Sequence, residues 1–214
     1  MSCHDDTRQR LLEAAGEKFA EKGYEATNVR EITEAIGSSP AAVNYHFRSK
    51  EDLYYAAVRH AAQSCERLTP LDSWSTDLPP EQQLLEYVRA FMTRLLRTDV
   101  PDWHRTLIMR ELTQPRSGSC GQLVGEFIRP SFESLQRILR QLLPTSIDPL
   151  QLHLIGGSIV GQCLHYHHAR HVIPLLVGST ELRDNPIDHL SQHIWRFSLA
   201  AIRQLYPTTP ESSS

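Results

Sequence analysis

Cysteine is scarce in this sequence of 214 residues, and a long apolar run is missing. The four cysteines, Cys3, Cys65, Cys120 and Cys163, are scattered without a Cys-x-x-Cys pair. Such spacing favours reduced thiols in a cytosolic protein over a disulfide framework or a structural zinc site. No segment approaches the ~18 apolar residues that span a membrane, and the N-terminus has no apolar signal core. We therefore expect a soluble cytoplasmic protein without a membrane contact.

Positive charge is also in short supply, because the formal net charge is −3. Residues 1–55 alone hold seven Lys or Arg against ten Asp or Glu. A basic domain that attracts nucleic acid through its bulk charge is excluded, so any DNA contact must rest on a few locally placed groups. The sequence also lacks a His-Glu-x-x-His motif, a nucleophile elbow and a Gly-rich phosphate loop. We therefore predict that the protein is not an enzyme.

Helical periodicity, by contrast, extends over almost the whole chain. Hydrophobic residues make up 40% of the sequence and recur at helical spacing, with no strand-rich segment. A first helix ends at Gly23, and Thr27 can cap a short second helix that stops at Gly37. A third helix of about two turns follows over 40–47. Ser49 then begins a capping-box pattern that opens a longer fourth helix.

Residues 69–80 form the clearest linker, since they contain three prolines and little periodicity. Beyond the linker, periodicity predicts helices near 81–97, 102–113, 121–143, 148–173 and 186–206. Pro130 lies inside the third of these helices and should kink it. The predicted protein is all-α, with an N-terminal domain over 1–53 whose connecting helix runs to about 68, a larger helical domain over 69–206 and a disordered tail over 207–214.

Residues 27–53 follow the pattern of a helix-turn-helix, whose second helix enters the major groove of DNA. In that second helix, Val43 and Phe47 lie four residues apart and can anchor one face in the core. Small and polar residues are left for the outer faces: Ala41, Ala42, Asn44, Tyr45 and His46. Asparagine can pair with adenine and alanine can contact a thymine methyl, while tyrosine and histidine can reach phosphates. The segment therefore predicts a three-helix DNA-binding domain.

Hydroxyl and basic groups surround this helix and compensate locally for the acidic domain. They are Thr27, Arg30, Ser39, Arg48 and Lys50. Thr27 and Ser39 place hydroxyls beside helix N-terminal amides, which together form a suitable seat for a phosphate. We therefore expect the DNA backbone to be held around the second helix.

The same residues resemble the TetR family of repressors. The family pattern has F-x-x-x-G-[YF]-x-x-[TA]-[ST], then I-x-x-x-[AL]-G and a Ser, then Y-x-[HY]-F-x-[SN]-K-x-x-L. This sequence reads FAEKGYEATN from Phe19, ITEAIG from Ile32 and NYHFRSKEDL from Asn44, with the serine at Ser39. Asn44 replaces the first tyrosine, so the base preferred at that step is expected to differ from relatives with tyrosine. Ser38 replaces the usual hydrophobic residue after the turn glycine.

The resemblance implies a role for each matching position. Arg30, Ala41, Ala42 and Asn44 would face bases. Thr27, Ser39, Tyr45, His46 and Lys50 would hold the DNA backbone, and Asn28 and Pro40 complete the predicted DNA-binding set. It also implies a ligand-responsive repressor that binds a palindromic operator on double-stranded DNA as a dimer and is released by a small-molecule effector. Activation of transcription remains open as the opposite sign of regulation.

The C-terminal part is similar to the TetR subgroup with a CerR-type C-terminal domain. The similar segments are WHRTLIMREL from Trp103, IVGQCL from Ile159 and HIWRFSLAA from His193. This similarity extends the family resemblance to the larger domain, which would then bind the ligand and form the dimer. It does not identify the effector.

Two long helices over 148–206 are expected to make a homodimer. The last helix has a near-heptad stripe of Ile187, Leu190, Ile194, Phe197, Ala201 and Leu205. The preceding helix carries Gly156, Gly157 and Gly161, which let another helix approach closely. Two such helices from each subunit would form a four-helix bundle and place two recognition helices about 34–36 Å apart. The alternative is that both stripes pack within one subunit.

A ligand pocket is expected among the helices over 84–172. The candidate lining residues combine apolar and aromatic side chains with a few polar groups: Phe91, Leu95, Trp103, Met109, Arg110, Phe127, Gln162 and Tyr166. Each of them also suits an ordinary core position.

Histidines between His165 and His171 provide an alternative function. Cys163, His167 and His171 recur at four-residue steps on one helix face, a spacing that can bind a transition metal. This would make the protein a metal sensor or a metal-dependent enzyme. The segment contains no carboxylate, and a hydrogen-bonded histidine surface has the same pattern. We therefore predict no metal or other cofactor. A purely structural DNA-associated dimer is a third possibility.

Overall fold

The computed structural model describes residues 3–71, 77–97, 101–116, 118–177 and 186–207. The α-helices are α1 (Cys3–Lys22), α2 (Val29–Ala35), α3 (Pro40–Phe47), α4 (Lys50–Leu68), α5 (Pro80–Leu96), α6 (Asp102–Thr113), α7 (Ser119–Leu123), α8 (Arg129–Leu142), α9 (Pro149–His168), α10 (Ile173–Val177) and α11 (Pro186–Leu205). No strand occurs in these ranges, which confirms the all-α class. Within them, no helix has both the length and the apolarity that crossing a membrane requires.

The chain divides into two compact units. The first comprises Met1–Leu68 and Thr98–Ile128, and the second comprises Thr69–Arg97 and Arg129–Ser214. Residues 69–206 were predicted to form one C-terminal domain, whereas α6 packs against α1 and α4 within the first unit. Leu107, fully buried on α6, joins the N-terminal core and accounts for this grouping.

Aromatic packing forms the centre of the first unit. Phe19 of α1 is fully buried. Its ring lies 5.0 Å from that of Tyr54 in an edge-on arrangement and 5.9 Å from that of Tyr24. Gly16 of α1 lies directly against the Trp103 ring, which leaves no room for a Cβ atom. Because these rings interlock, α1, α4 and α6 share one core.

The turns of the first unit follow the predicted glycine positions. Gly23, at φ +81°, ends α1 and donates its N–H to the carbonyl of Phe19 at 2.9 Å. Gly37, at φ +67°, ends the turn after α2. The predicted cap of α2 was wrong, because Asn28 is the N-cap and its side chain accepts the N–H of Arg30. Ser49 accepts the N–H of Asp52 at 3.0 Å, which confirms the predicted start of α4.

Helix α4 is buried along one face of its first turns but not at its C-terminal end. Leu53, Ala57 and Val58 are at most 3% exposed. Leu68, in the last turn, is 49% exposed, and Cys65 is half-buried. The last turn therefore leaves the core that the first turns enter.

The predicted helix over 121–143 is interrupted. A π-helical turn at Val124–Ile128 separates α7 from α8 and lies directly before Pro130. Proline lacks the N–H that an α-helix needs and its ring crowds the preceding turn, so the regular pattern changes where the kink was expected. The helix expected over 148–173 likewise ends at His168 and is followed by the short α10. The predicted disordered tail and part of the predicted linker, 208–214 and 72–76, lie outside the described residues.

The second unit is built around α5, which contacts α8, α9 and α11. Leu84, Val88 and Met92 are fully buried along its inner face. The indole N–H of Trp195 on α11 donates to the carbonyl of Glu81 at 2.7 Å and secures the start of α5. These contacts position α9 and α11 side by side.

Candidate nucleic-acid interface

Helix α3 has one buried face and one open face. Val43 and Phe47 are 1% and 5% exposed, which confirms the predicted anchors. Pro40 occupies the first turn, where its missing N–H costs no hydrogen bond. Most of the predicted contact residues around this helix lie at the surface: Ser39, Pro40, Ala41, Asn44 and Tyr45 are exposed, and Ala42 and His46 are half-buried. The outer face can therefore approach a base edge closely.

Tyr45 is the most prominent side chain of this face. It is 70% exposed, and its ring meets that of His46 edge-on at 5.0 Å. Arg30 on α2 and the cap residue Asn28 are also exposed. Ser39 is the N-cap of α3, but its side chain makes no capping hydrogen bond. Its hydroxyl therefore lies at the N-terminus of α3 without capping a backbone N–H of the helix.

Thr27 does not have the surface position that the sequence analysis expected. It is 2% exposed, and its hydroxyl donates to the carbonyl of Gly23 at 2.7 Å. The carbonyl of Lys18 lies 3.2 Å from the same hydroxyl. A buried hydroxyl that satisfies the carbonyls at the end of α1 fixes the turn between α1 and α2. It is not placed for a phosphate.

Arg48 connects the recognition helix to α4 through an unusual backbone turn. It has φ +65° and ψ −43°, and the N–H of Ser49 donates to the carbonyl of Phe47 at 2.7 Å. These values describe a γ-turn with positive φ, a strained conformation for a residue with a side chain. The Arg48 side chain is exposed.

Lys50 lies in a cluster of charged and aromatic side chains at the start of α4. Its ammonium is 4.2 Å from the centroid of the Tyr24 ring. The Arg116 guanidinium lies 3.5 Å from the same centroid, and its NH1 donates to Oε1 of Glu25. Desolvation lowers the pKa of Lys50, and Arg116 acts in the same direction while Glu25 opposes it. Sequence patterns gave no indication of Arg116, because tertiary folding alone brings it to this cluster.

The predicted ligand residues are divided between the two units. Trp103, Met109, Arg110 and Phe127 belong to the first, and Phe91, Leu95, Gln162 and Tyr166 belong to the second. Arg110 donates to the carbonyls of Ala20 and Glu21 and so caps the end of α1. Phe91 stacks on Tyr87 at 6.1 Å. Arg110 and Phe91 thus have packing or capping contacts of their own, and ligand binding by the eight stays a prediction.

The histidine cluster is not arranged as a metal site. His167 is 7% exposed, and its Nδ1 lies 3.0 Å from the carbonyl of Leu95. Cys163 is 1% exposed, and burial raises the pKa of its thiol to about 12. Across the described ranges, no group of three His, Cys, Asp or Glu side chains could hold a metal ion. The metal alternative therefore has no support here.

An open apolar groove runs between α9 and α11 in the second unit. It is lined by residues that include Leu154, Ile159, Phe197 and Leu205. Phe197 and Leu205 of the predicted heptad stripe are 61% and 68% exposed, and Leu154 is 50% exposed. Large apolar side chains grouped at a surface mark an interaction site.

Two protein-family models match this chain, one in its N-terminal part and one in its C-terminal part. Residues 11–57 match the family described as bacterial regulatory proteins, tetR family. Residues 80–202 match the C-terminal domain of the HTH-type transcriptional dual regulator CecR. The subgroup expected from the sequence was named CerR-type, and the matching domain is that of CecR.

Individual relatives extend the same result. The HTH-type transcriptional dual regulator CecR of Shigella flexneri is 26% identical over 202 residues, which cover 89% of this chain and 88% of that protein. The HTH-type transcriptional repressor AcnR of Corynebacterium glutamicum is 46% identical over 99 residues, 44% of this chain and 53% of AcnR. The chain thus spans about half the length of this AcnR relative.

A solved structure shows the same fold. The tetR-family regulatory protein from Rhodococcus RHA1 superposes with a TM-score of 0.69 at 21% identity, covering 94% of this chain and 98% of that one. At this identity the likeness concerns the fold alone. The match of residues 80–202 covers more than half of the chain and joins the N-terminal match on one polypeptide. The chain therefore belongs to the TetR family of bacterial regulatory proteins.

Proposed function

We propose that this protein regulates transcription in the cytoplasm by binding double-stranded operator DNA as a homodimer. The observation that carries the proposal is the two-faced helix α3. Val43 and Phe47 hold it in the core, while Ala41, Asn44 and Tyr45 stand open to the outside. Small and hydrogen-bonding side chains on a short exposed helix are suited to reading base edges in the major groove.

The DNA contacts divide into two groups by chemistry. Arg30, Ala41, Ala42 and Asn44 would face bases, and Ser39, Tyr45, His46 and Lys50 would hold phosphates. Asn28 and Pro40 shape the two helix starts at the interface. Because the domain has no excess of positive charge, these local groups have to provide the attraction to DNA.

Dimerisation would use the groove between α9 and α11. Its exposed side chains Leu154, Phe197 and Leu205 would pack against the same groove of a second copy, since a two-fold interface uses one patch on both subunits. The dimer would present two α3 helices to two half-sites of a palindromic operator about one helical turn apart.

We propose that the protein represses transcription and that a small-molecule effector relieves this repression. AcnR is named a repressor and CecR a dual regulator, and both resemble this chain. An effector that binds the DNA-incompetent state more tightly would release the operator, with a coupling free energy of about 1–3 kcal/mol. Neither the family nor the site points to an enzyme.

The experiment is binding of the purified dimer to the DNA upstream of its own gene, measured with and without unlabelled random DNA. We expect a shift that survives the random competitor and weakens as salt rises. The matched variants are Asn44→Ala, expected to lose selectivity, and Glu17→Ala on the exposed surface of α1, expected to bind unchanged. Equal binding to upstream and random DNA by an intact dimer would refute an operator at its own gene.

A further inference from the structure

Among the residues that the structure describes, no carboxylate pairs with Lys50, although the acidic Glu25 affects its pKa. The Lys50 ammonium rests on the Tyr24 ring at 4.2 Å. Desolvation lowers the pKa of Lys50, and the negative charge of Glu25 partly opposes that lowering. The Glu25 side chain is 85% exposed, so little holds it in place except its own ion pair.

Glu25 forms its ion pair with Arg116. NH1 of Arg116 donates to Oε1 of Glu25, and the guanidinium covers the Tyr24 ring at 3.5 Å. The backbone N–H of Arg116 donates to Oε1 of Glu111 at 3.1 Å, and Glu111 is fully buried. A buried carboxylate therefore anchors the segment after α6 that brings Arg116 to the ring.

The charges of Arg116 and Glu25 determine whether the Lys50 ammonium is available to contact DNA. A lysine that contacts DNA contributes by releasing a condensed counterion, and it does so only if its charge is not already neutralised. Arg116 repels Lys50 and attracts Glu25, so it keeps the acidic side chain away from the lysine. Without Arg116, Glu25 would be available to form an ion pair with the ammonium, which already lies on the Tyr24 ring.

We propose that Arg116 is a positioning residue for DNA binding, which keeps Lys50 free to contact a phosphate by pairing with Glu25 and sharing the Tyr24 ring. The inference rests on the proposed function, in which Lys50 holds the DNA backbone. It assigns a role in the helix-turn-helix to a residue of the segment that follows α6.

The test is a cycle of variants of the full-length protein, with operator affinity measured over a range of KCl concentrations. Lys50→Ala is expected to weaken binding and to lower the salt slope by about one. Arg116→Ala is expected to weaken binding several-fold and to lower the slope by the same amount. The double variant Arg116→Ala with Lys50→Ala should bind no worse than Lys50→Ala alone.

Two further variants separate positioning from a loss of folding. Glu25→Gln combined with Arg116→Ala should restore both affinity and slope, because the competing carboxylate is gone. Arg116→Lys should restore part of them, because it keeps the ion pair. Arg59→Ala is the matched control, since Arg59 forms an exposed ion pair with Glu126 in the same unit. It should leave the slope unchanged.

Additive losses in the Arg116 and Lys50 double variant would overturn the inference, and so would a failure of Glu25→Gln to restore binding. The same holds if Lys50→Ala leaves the salt slope unchanged while the wild type still selects its operator. That pattern would leave the proposed function intact. Loss of selective binding in the wild type itself would instead refute the proposed function.

Discussion

The hydroxyl of Tyr54 donates to Oε2 of Glu111 at a distance of 2.6 Å and joins α4 to α6. Glu111 also accepts from the hydroxyl of Ser119 and from the backbone N–H of Arg116, so the buried carboxylate has donors on both oxygens. Burial and this acceptor raise the pKa of Tyr54. The hydroxyl therefore stays protonated and continues to donate.

Tyr54→Phe should destabilise the first unit by about 1.5–3 kcal/mol, because a buried carboxylate loses a charge-assisted hydrogen bond. Chemical denaturation measures the free energy of unfolding. Tyr55→Phe is the matched control, since its hydroxyl donates to the exposed Glu51 one turn earlier. It should change stability by no more than about 0.5 kcal/mol. Similar losses in both variants would contradict a special role for the Tyr54–Glu111 bond.

Gly16→Ala should destabilise the protein by about 1–3 kcal/mol, because the added methyl group would overlap the ring of the partly buried Trp103. Gly121→Ala on α7 is the control, since a Cβ there meets nothing within 4 Å. That substitution should be neutral or stabilise by up to about 1 kcal/mol, as alanine favours the helix. Thermal unfolding of the two variants compares them directly, and a lower Tm for Gly121→Ala alone would reverse the expected order.

Acid should weaken the first unit through His104. Burial, with smaller contributions from His60 and Arg105 and against that of Glu13, lowers the pKa of His104 to about 4. An unfolded histidine has a pKa of about 6.5, so the unfolded chain binds the proton first as the pH falls. Stability contributed by the neutral ring is complete above pH 6.5 and is lost between about pH 6.5 and 4, at up to about 1.4 kcal/mol per unit.

His104→Phe keeps a ring at this position and removes the titration. Its unfolding free energy should therefore fall less steeply than that of the wild type over the same pH range. Denaturation curves at pH 7, 6 and 5 provide the comparison. Parallel pH dependence in the two proteins would assign the acid sensitivity to other groups.

Asn44→Ala and Lys50→Ala should differ in kind. The first removes a side chain proposed to read a base, so it should relax preference at one operator position by about 1–3 kcal/mol. The second removes a phosphate contact, so it should weaken binding to all DNA about equally. A panel of operators with single base changes distinguishes the two patterns. Identical profiles would mean that α3 is oriented differently on DNA.

Phe197→Glu should disrupt the proposed dimer and leave a monomer, because it places a charge among the exposed apolar side chains of the α9–α11 groove. Gln192→Glu is the matched control on the same helix, exposed but outside the groove lining. Sedimentation velocity at several concentrations measures the mass. A dimer that persists in Phe197→Glu would place the interface elsewhere.

Local sequence patterns predicted the features that depend on residues close together in the chain, namely the orientation of α3 and the glycine turns. The four-residue spacing of Val43 and Phe47 was sufficient to orient α3, because helical periodicity decides which side chains share a face. Gly23 and Gly37 marked their turns for the same local reason. The outer face of the candidate site followed directly from the orientation of α3.

Contacts between residues distant in the chain could not be predicted from local sequence patterns. The burial of Thr27 depends on the carbonyls at the end of α1, and the packing of α6 on α1 and α4 joins segments distant in the chain. Arg116 covers the Tyr24 ring from a segment distant in the chain, where Glu111 accepts its backbone N–H. Sequence periodicity carries no information on such pairings, so the supporting residues of the site appeared only with the structure.

The γ-turn at Arg48 has a mechanical consequence for any allosteric transition. Only Arg48 and Ser49 separate the last residue of α3 from the first residue of α4. A connection this short and strained has no slack in which one helix could rotate without the other. Helices α3 and α4 are therefore expected to move together, so a tilt of α4 would change the orientation of α3 by a similar angle.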